Sequence, residues 1–304
     1  GGIDIIIGGP PCQAYSVAGR VRDENGMKDD YRNYLFEHYL SVVNRYQPKV
    51  FVFENVPGLL SAMSDGTPII QLIESGFSSI GYEIVDDVKK YAKVDASDYG
   101  VPQSRERVIF LCSKNKAISI PEATVDVPIT VREAIEDLAY LNSNEGAFEQ
   151  SYITEPMTDY QRMMRIDSKK LYNHKASNHS QVAIDKLSMI PPEKGKEYLP
   201  EELLGKQKFN STWGRLKWDE PSPTIDTRFD AASNGTNNHP FLNRAITPRE
   251  AARIQSFDDS FIFYGNKVDI RTQIGNAVPP LMAKAIADHI YKCLVKDESE
   301  GEEN

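Results

Sequence analysis

Two short strand-like runs, residues 4–7, expected to be buried, and 50–53, each give way abruptly to turn-forming or polar residues, and a helix-spaced segment lies between them. The first run ends in Gly8-Gly9-Pro10-Pro11 and the second in Glu54-Asn55-Val56-Pro57-Gly58. Across residues 35–46, Leu35, Tyr39, Leu40 and Val43 recur at helical intervals, and Pro48 closes the segment. Strand, helix and strand in this order predict parallel neighbours joined by a covering helix. Residues 82–91 and 108–112 read as two further strands. In open α/β sheets ligands bind beyond the carboxyl ends of the strands, so the loops after Gly9 and Phe53 are where chemistry is expected.

The fold class expected is therefore α/β for the first third. Beyond residue 113 the pattern loosens. Thr130-Val131-Arg132-Glu133 is a capping box that predicts a helix to Leu141, and Thr247-Pro248-Arg249-Glu250 is another, opening a helix through Ile254. Residues 142–240 are rich in Asn, Ser, Pro and Lys and read as a second, irregular domain. Pro279-Pro280 predicts a last helix with Met282, Ile286 and Ile290 on one face.

With 304 residues and 40% apolar content the chain can bury a real core. Its longest early apolar run is too short for a membrane span and no basic segment precedes it, so neither a membrane anchor nor a targeting peptide is read. Cys12, Cys112 and Cys293 are odd in number and widely spaced, without CxxC or paired-histidine spacing, which predicts no metal site and a reducing, cytoplasmic setting. The net charge of −9 argues against a nucleic-acid partner until its distribution is considered. The segment 297–304 holds five acids and no base, whereas residues 151–250 carry 15 Lys and Arg against 13 Asp and Glu. The middle third is the better DNA-facing candidate, although ordinary solvated surface accounts for so small an excess nearly as well.

Four stretches carry candidate chemistry. Two glycines and two prolines before Cys12 give a thiol a stiff support at a strand end, which favours a nucleophile over a small buried hydrophobe. Glu54 is expected at the same sheet edge, where a partly desolvated carboxyl can deliver a proton; the plainer reading is a salt bridge with Arg105 or Arg107. In Gln103-Ser104-Arg105-Glu106-Arg107 the two arginines, two apart at a strand start, are expected on one face. In Gln273-Ile274-Gly275-Asn276-Ala277-Val278-Pro279 the small residues would let a cofactor approach, or would merely form a helix-entry turn.

Taken in order, Pro11-Cys12-Gln13, Glu54-Asn55-Val56, Gln103-x-Arg105-x-Arg107 and Gly275-Asn276-Ala277-Val278 resemble the motifs of the DNA cytosine-5 methyltransferases. The resemblance covers residues 1–118 and 244–291. It implies a Rossmann-like S-adenosylmethionine-dependent catalytic domain at 1–118, a target-recognition domain at 119–243, a return to the catalytic domain at 244–295 and a disordered acidic tail at 296–304. It further implies methyl transfer to C5 of a cytosine flipped out of duplex DNA. In that family's chemistry Cys12 adds to C6, Glu54 protonates N3, Arg107 with Arg105 nearby holds O2, and the backbone at Pro10 and Pro11 accepts from the amino group. Asn55 would orient the catalytic loop. Gln13, Ser16, Gln103 and Thr224 would lie near the base or the closing loop, the latter spanning residues 14–30. Pro11, Leu35, Asn276, Ala277 and Val278 would contact the donor. The run from Arg244 to Phe257 resembles the segment that anchors the recognition domain, with Asp258 standing where the family usually has proline.

The family's opening Phe-x-Gly-x-Gly turn and the acidic residue after it do not occur here. The expectation is a partial domain whose first strands are missing, an incomplete donor site and little activity for this chain alone. A missing N-terminal segment or subunit, or self-association through an exposed sheet edge, would follow. A restriction-modification setting in bacteria is expected. The competing readings are a DNA-binding module without catalysis and a methyltransferase acting on RNA cytosine.

Overall fold

The computed structural model describes residues 2–10, 35–64, 66–85, 92–114, 116–204 and 211–302. Contacts divide the chain into two compact units, one of Gly1–Asp95, Glu106–Glu122 and Lys284–Asn304, the other of Ala96–Arg105 and Ala123–Ala283.

The first unit is built on β1 (Ile5–Gly8), α1 (Leu35–Tyr46) and β2 (Val50–Asn55). A small hairpin, β3 (Met63–Ser64) and β4 (Thr67–Pro68), leads into α2 (Ile69–Ser79). β5 (Lys93–Asp95) and β6 (Glu106–Ser113) complete a four-stranded sheet in the order β1-β2-β6-β5. Helix α1 keeps the predicted bounds. The sheet is mixed: β1 and β2 are the parallel neighbours that the strand–helix–strand order predicts, while β2 with β6 and β6 with β5 are antiparallel, so the parallel pattern does not extend to the later strands. β5 and β6 are joined without a crossover helix, a connection that only antiparallel neighbours permit. Of the strand expected at 82–91, the described part contributes one bridge, Glu83 to Ser113, and residues 86–91 lie outside the described residues.

The expected buried first strand is also corrected. β1 is an edge strand, with Ile5 40% and Ile7 76% exposed on the uncovered face, while Ile6 packs on the core. That core consists of Phe51, Phe53, Ile73, Phe77, Tyr82 and Phe110 with their neighbours. Edge-to-face ring pairs tie it together, Phe51 with Phe77 at 4.8 Å and Phe53 with Phe110 at 5.8 Å.

The second unit begins its helices with α3 (Val131–Ile135), opened by the predicted capping box at Thr130 and Glu133. α3 stops well short of Leu141. A 3-10 turn replaces it at Glu136–Leu138, where the Asp137 carboxylate is buried against Arg253 Nη1 at 2.6 Å. There follow β7 (Gly146–Gln150), α4 (Asp159–Arg165) and β8 (Leu171–Lys175), then α5 (Gln181–Met189) and α6 (Glu201–Leu204). β7 and β8 form an antiparallel pair. β9 (Gly214–Arg215) and β10 (Thr236–Asn238) form a short parallel pair. α7 (Pro248–Ile254) has the predicted capping box and proline start, and α8 (Lys267–Asn276) has a third capping box, Asn266 with Asp269. α9 (Pro280–Glu302) runs on through residues 296–302, so that part of the acidic end expected to be disordered is helical. No helix among the described residues is long and apolar enough to cross a membrane.

Around α7 the second unit buries three arginines completely, Arg244, Arg249 and Arg253. Arg244 meets Glu250 through two bonds of 2.7 Å, and Arg253 divides its guanidinium between Asp137 and Asp259. Arg249 donates to the carbonyls of Tyr172, Asp258 and Phe261. A charge so deeply buried persists only when fully paired, which these arrangements achieve. Asp258, in place of the family's usual proline, accepts from the Ser260 and Phe261 amides and closes its own turn.

Candidate active site

Glu54 and Arg107 are brought together by strand register. Glu54 lies directly opposite Ile109 in the β2–β6 ladder, and Arg107, two residues earlier on β6, shares the face of Ile109. The two side chains are therefore diagonal cross-strand neighbours, within reach of long side chains. Arg107 Nε donates to Glu54 Oε1 at 3.0 Å, with the side chains only 13% and 22% exposed. Burial lowers the Arg107 pKa, and the charge and hydrogen bond of Glu54 act in the opposite sense. Glu54 belongs to the end of β2 rather than to the loop after it.

The turn that leaves β1 closes on this pair. A Cβ added to Gly9 would stand 2.7 Å from Glu54 Oε2, and one on Gly8 would stand 2.5 Å from the Tyr39 ring. A side chain at Gly8 would have to move the Tyr39 ring, and one at Gly9 the end of the Glu54 side chain. Tyr39 is itself anchored, its hydroxyl donating to Val52 O at 2.8 Å. Asn55 Nδ2 donates to Pro10 O at 3.1 Å, while Asn55 Oδ1 accepts from Val56 N at 2.9 Å. Asn55 is thus an orienting residue, tying the Pro10 carbonyl to the end of β2. Tyr39 is the member of this arrangement that the motifs did not point to. The helical spacing placed Tyr39 on the correct face of α1, but its contact with Gly8 needs three-dimensional pairing.

Arg105 does not share a face with Arg107, a correction to the period-two expectation. β6 starts at Glu106, so strand alternation does not reach back to Arg105. The Arg105 guanidinium is buried within the second unit and donates to Ile225 O at 3.0 Å and Gly275 O at 2.9 Å. Gln103 acts beside it: its side-chain oxygen accepts from Ile225 N at 2.7 Å and its amide donates to Gln255 Oε1 at 2.9 Å. Gln103 and Arg105 thus grip the two polar groups of Ile225, and Thr224 before it stays exposed, its hydroxyl bonded to Ser104 O at 3.1 Å. In this motif Gln103 and Arg105 position a segment, and only Arg107 meets the carboxylate.

Gly275 lies against the chain's own backbone. A Cβ there would stand 2.6 Å from the carbonyl of Asp226 and 2.7 Å from Thr227 N. The glycine lets the chain's own backbone approach α8 at this point. Asn276 and Val278 are exposed at the end of α8, with Ala277 half-buried between them, and Leu35 is half-buried at the start of α1. Cys12, Pro11, Gln13, Ser16 and the whole 14–30 loop lie outside the described residues. The second unit contains cavities of about 560 and 430 Å³, and neither is lined by any residue expected to touch a methyl donor.

Comparison with known proteins identifies the family. A family model described as C-5 cytosine-specific DNA methylase matches residues 1–292. The Type II methyltransferase M.DdeI of Desulfomicrobium norvegicum is 36% identical over 95% of this chain and 72% of its own length. M.Bpa9945I of Bacillus paralicheniformis, also a Type II methyltransferase, is 36% identical over 94% of this chain and 69% of its own. Among solved structures, a DNA modification methyltransferase encoded within an E. coli prophage superposes with a TM-score of 0.71 at 27% identity, covering 96% of this chain and 79% of that one. The Entamoeba histolytica methyltransferase EhMeth, at 14% identity and a TM-score of 0.50 over 96% of this chain and 78% of that one, shares the fold.

Proposed function

Because this chain belongs to the C-5 cytosine-specific DNA methylases, we propose that it methylates C5 of a cytosine turned out of duplex DNA, as a Type II modification enzyme acting in the cytoplasm. The observation that carries the reading is the Glu54–Arg107 pair standing against Gly9, three residues before Cys12.

C5 of cytosine is a weak nucleophile until a group adds to C6. Cys12 supplies that group as a thiolate, forming the sulfur–C6 bond while Glu54 serves the proton at N3. Arg107 holds the carboxyl of Glu54 in place and offers its remaining donors to the O2 edge of the base. The Pro10 carbonyl, fixed by Asn55, stands as an acceptor for the exocyclic amine. Thr224, presented by Gln103 and Arg105, contacts the displaced nucleotide. S-adenosylmethionine, the family's methyl donor, supplies an electrophilic methyl group when bound; Pro11, Leu35, Asn276, Ala277 and Val278 are its proposed contacts. Loss of the C5 proton with breakage of the sulfur–C6 bond returns Cys12. Extruding the base costs a few kcal/mol, which contacts outside the reacting atoms must offset.

The test is transfer of tritiated methyl groups to duplex DNA by the native protein and by Cys12→Ala, beside a covalent trap with DNA carrying 5-fluorocytosine. With a segment carrying the family's Phe-x-Gly-x-Gly turn supplied in trans, native transfer, its loss in Cys12→Ala and a trapped adduct at Cys12 are the expected results. Sustained turnover by Cys12→Ala rules the mechanism out, and preference for RNA over duplex DNA in competition rules out the substrate.

A further inference from the structure

The second unit holds a cavity that no step of methyl transfer uses. It measures about 430 Å³ and is bounded by the antiparallel β7–β8 pair and α8, with Phe148, Pro248 and Ile270 among its apolar walls. Its charged lining is unequal: Lys175, Lys267 and Arg271 against a single carboxylate, Asp230.

Asp230 is buried and already engaged, accepting from Arg271 Nη1 at 2.7 Å and Lys267 Nζ at 2.8 Å. Two cationic charges therefore exceed what the lining neutralises. Lys175 is exposed and forms no ion pair among the described residues, and Arg271 Nε is buried without a hydrogen-bond partner among them. Lys267 sits at the first position of α8, where the helix dipole disfavours a cation. Phe148 keeps 45% of its surface exposed, and its ring centroid lies 5.9 Å from that of exposed Tyr264.

An apolar, partly aromatic wall accepts a planar heterocycle, and surplus positive charge at its rim accepts a phosphate. A bare anion would make no use of Phe148 and Ile270; a neutral apolar ligand would make none of Lys175. The geometry points to a second, non-catalytic nucleotide site that takes a nucleoside phosphate, its base against Phe148 and its phosphate among Lys175, Lys267 and Arg271. That chemistry has two sources, an unpaired nucleotide of a DNA strand and a free nucleotide.

Equilibrium titrations of the full chain distinguish them, using inorganic phosphate, deoxyadenosine monophosphate and a short cytosine-free single-stranded oligonucleotide. Each is repeated on the Lys175→Gln/Lys267→Gln variant and on Phe148→Ala, all at partly or largely exposed side chains, with circular dichroism and the urea midpoint confirming that each variant is folded. Binding of the mononucleotide, weakened about tenfold by the charge variant and weakened also by Phe148→Ala, identifies the free nucleotide. The same pattern with the oligonucleotide alone identifies the strand. Binding of neither probe, affinities indifferent to both variants, or phosphate binding as tightly as the nucleotide overturns the inference. These titrations contain neither methyl donor nor target cytosine, so a failure of methyl transfer leaves their outcome untouched.

Discussion

Arg107 stands two residues before the ladder partner of Glu54, so that guanidinium and carboxylate meet diagonally across β2 and β6 at 3.0 Å. Their alignment rests on backbone hydrogen bonds of the sheet and does not depend on a loop.

Glu54→Gln removes the proton-transferring group while keeping nearly the same shape. Turnover in a single-turnover methylation assay is expected to fall on the order of 100-fold or more, with DNA affinity changed little. Arg107→Lys retains a positive charge but loses the fixed Nε geometry, and an intermediate loss is expected. Native turnover by Glu54→Gln would remove Glu54 from the chemistry.

Two glycine substitutions are expected to separate activity from stability. Gly9→Ala puts a methyl group 2.7 Å from Glu54 Oε2 and must displace the carboxylate, so methyl transfer drops while the denaturation midpoint moves little. Gly275→Ala meets backbone atoms of Asp226 and Thr227, which have no rotamer to change, and is expected to cost about 1–3 kcal/mol in urea unfolding. Equal effects of both substitutions on both measurements would contradict these placements.

Burial lowers His174 to about 4 and His239 to about 3, from an ordinary value of 6.5. His239 Nδ1 accepts from the amides of Phe241 and Leu242, bonds that a proton there would abolish. An unfolded chain takes up a proton on each ring near pH 6.5, whereas the folded chain resists until about pH 4 and 3. The stabilising contribution is therefore complete above about pH 6.5 and is lost as pH falls, by at most about 1.4 kcal/mol per pH unit for each ring. Glu250, held at about 2 against its own burial by Arg244, contributes a further loss only below about pH 4.5. Urea midpoints between pH 7.5 and 5 should fall accordingly, and the slope should flatten in a His174→Gln/His239→Gln variant.

Arg244 and Glu250 are both completely buried and paired. Removing one partner leaves a lone charge in the core, so Glu250→Gln or Arg244→Met alone should cost about 3–5 kcal/mol. Replacing both by apolar residues of similar volume should restore much of that loss. A double-mutant cycle by denaturant unfolding measures the coupling, and additive losses would show that the pair is not coupled.

What could be read from sequence followed local signals. The bounds of α1 and α7 were legible because Pro48, the Thr247–Glu250 capping box and Pro248 act within a few residues of the helix ends. The salt bridge of Glu54 was foreseeable as a choice between Arg105 and Arg107, but the choice itself depends on where β6 begins. Alternation along a strand has no force at Arg105, one residue outside it. Strand direction in the sheet and the exposure of Ile7 depend on which strand becomes a neighbour, and composition carries no record of that. Gly275 was visible as a small residue, yet its occupant, the backbone at Asp226, lies far away in sequence.

The grip of Arg105 on Ile225 and Gly275 also spans 120 and 170 residues of chain. During synthesis at about 5–20 residues per second, this arginine emerges on the order of ten seconds before its later acceptor exists. Over that interval it is a hydrated surface cation, and only the arrival of α8 allows it to shed water and become interior. Pausing of the ribosome before residue 275 would therefore prolong a form whose sheet is complete and whose Thr224 segment has yet to be fastened.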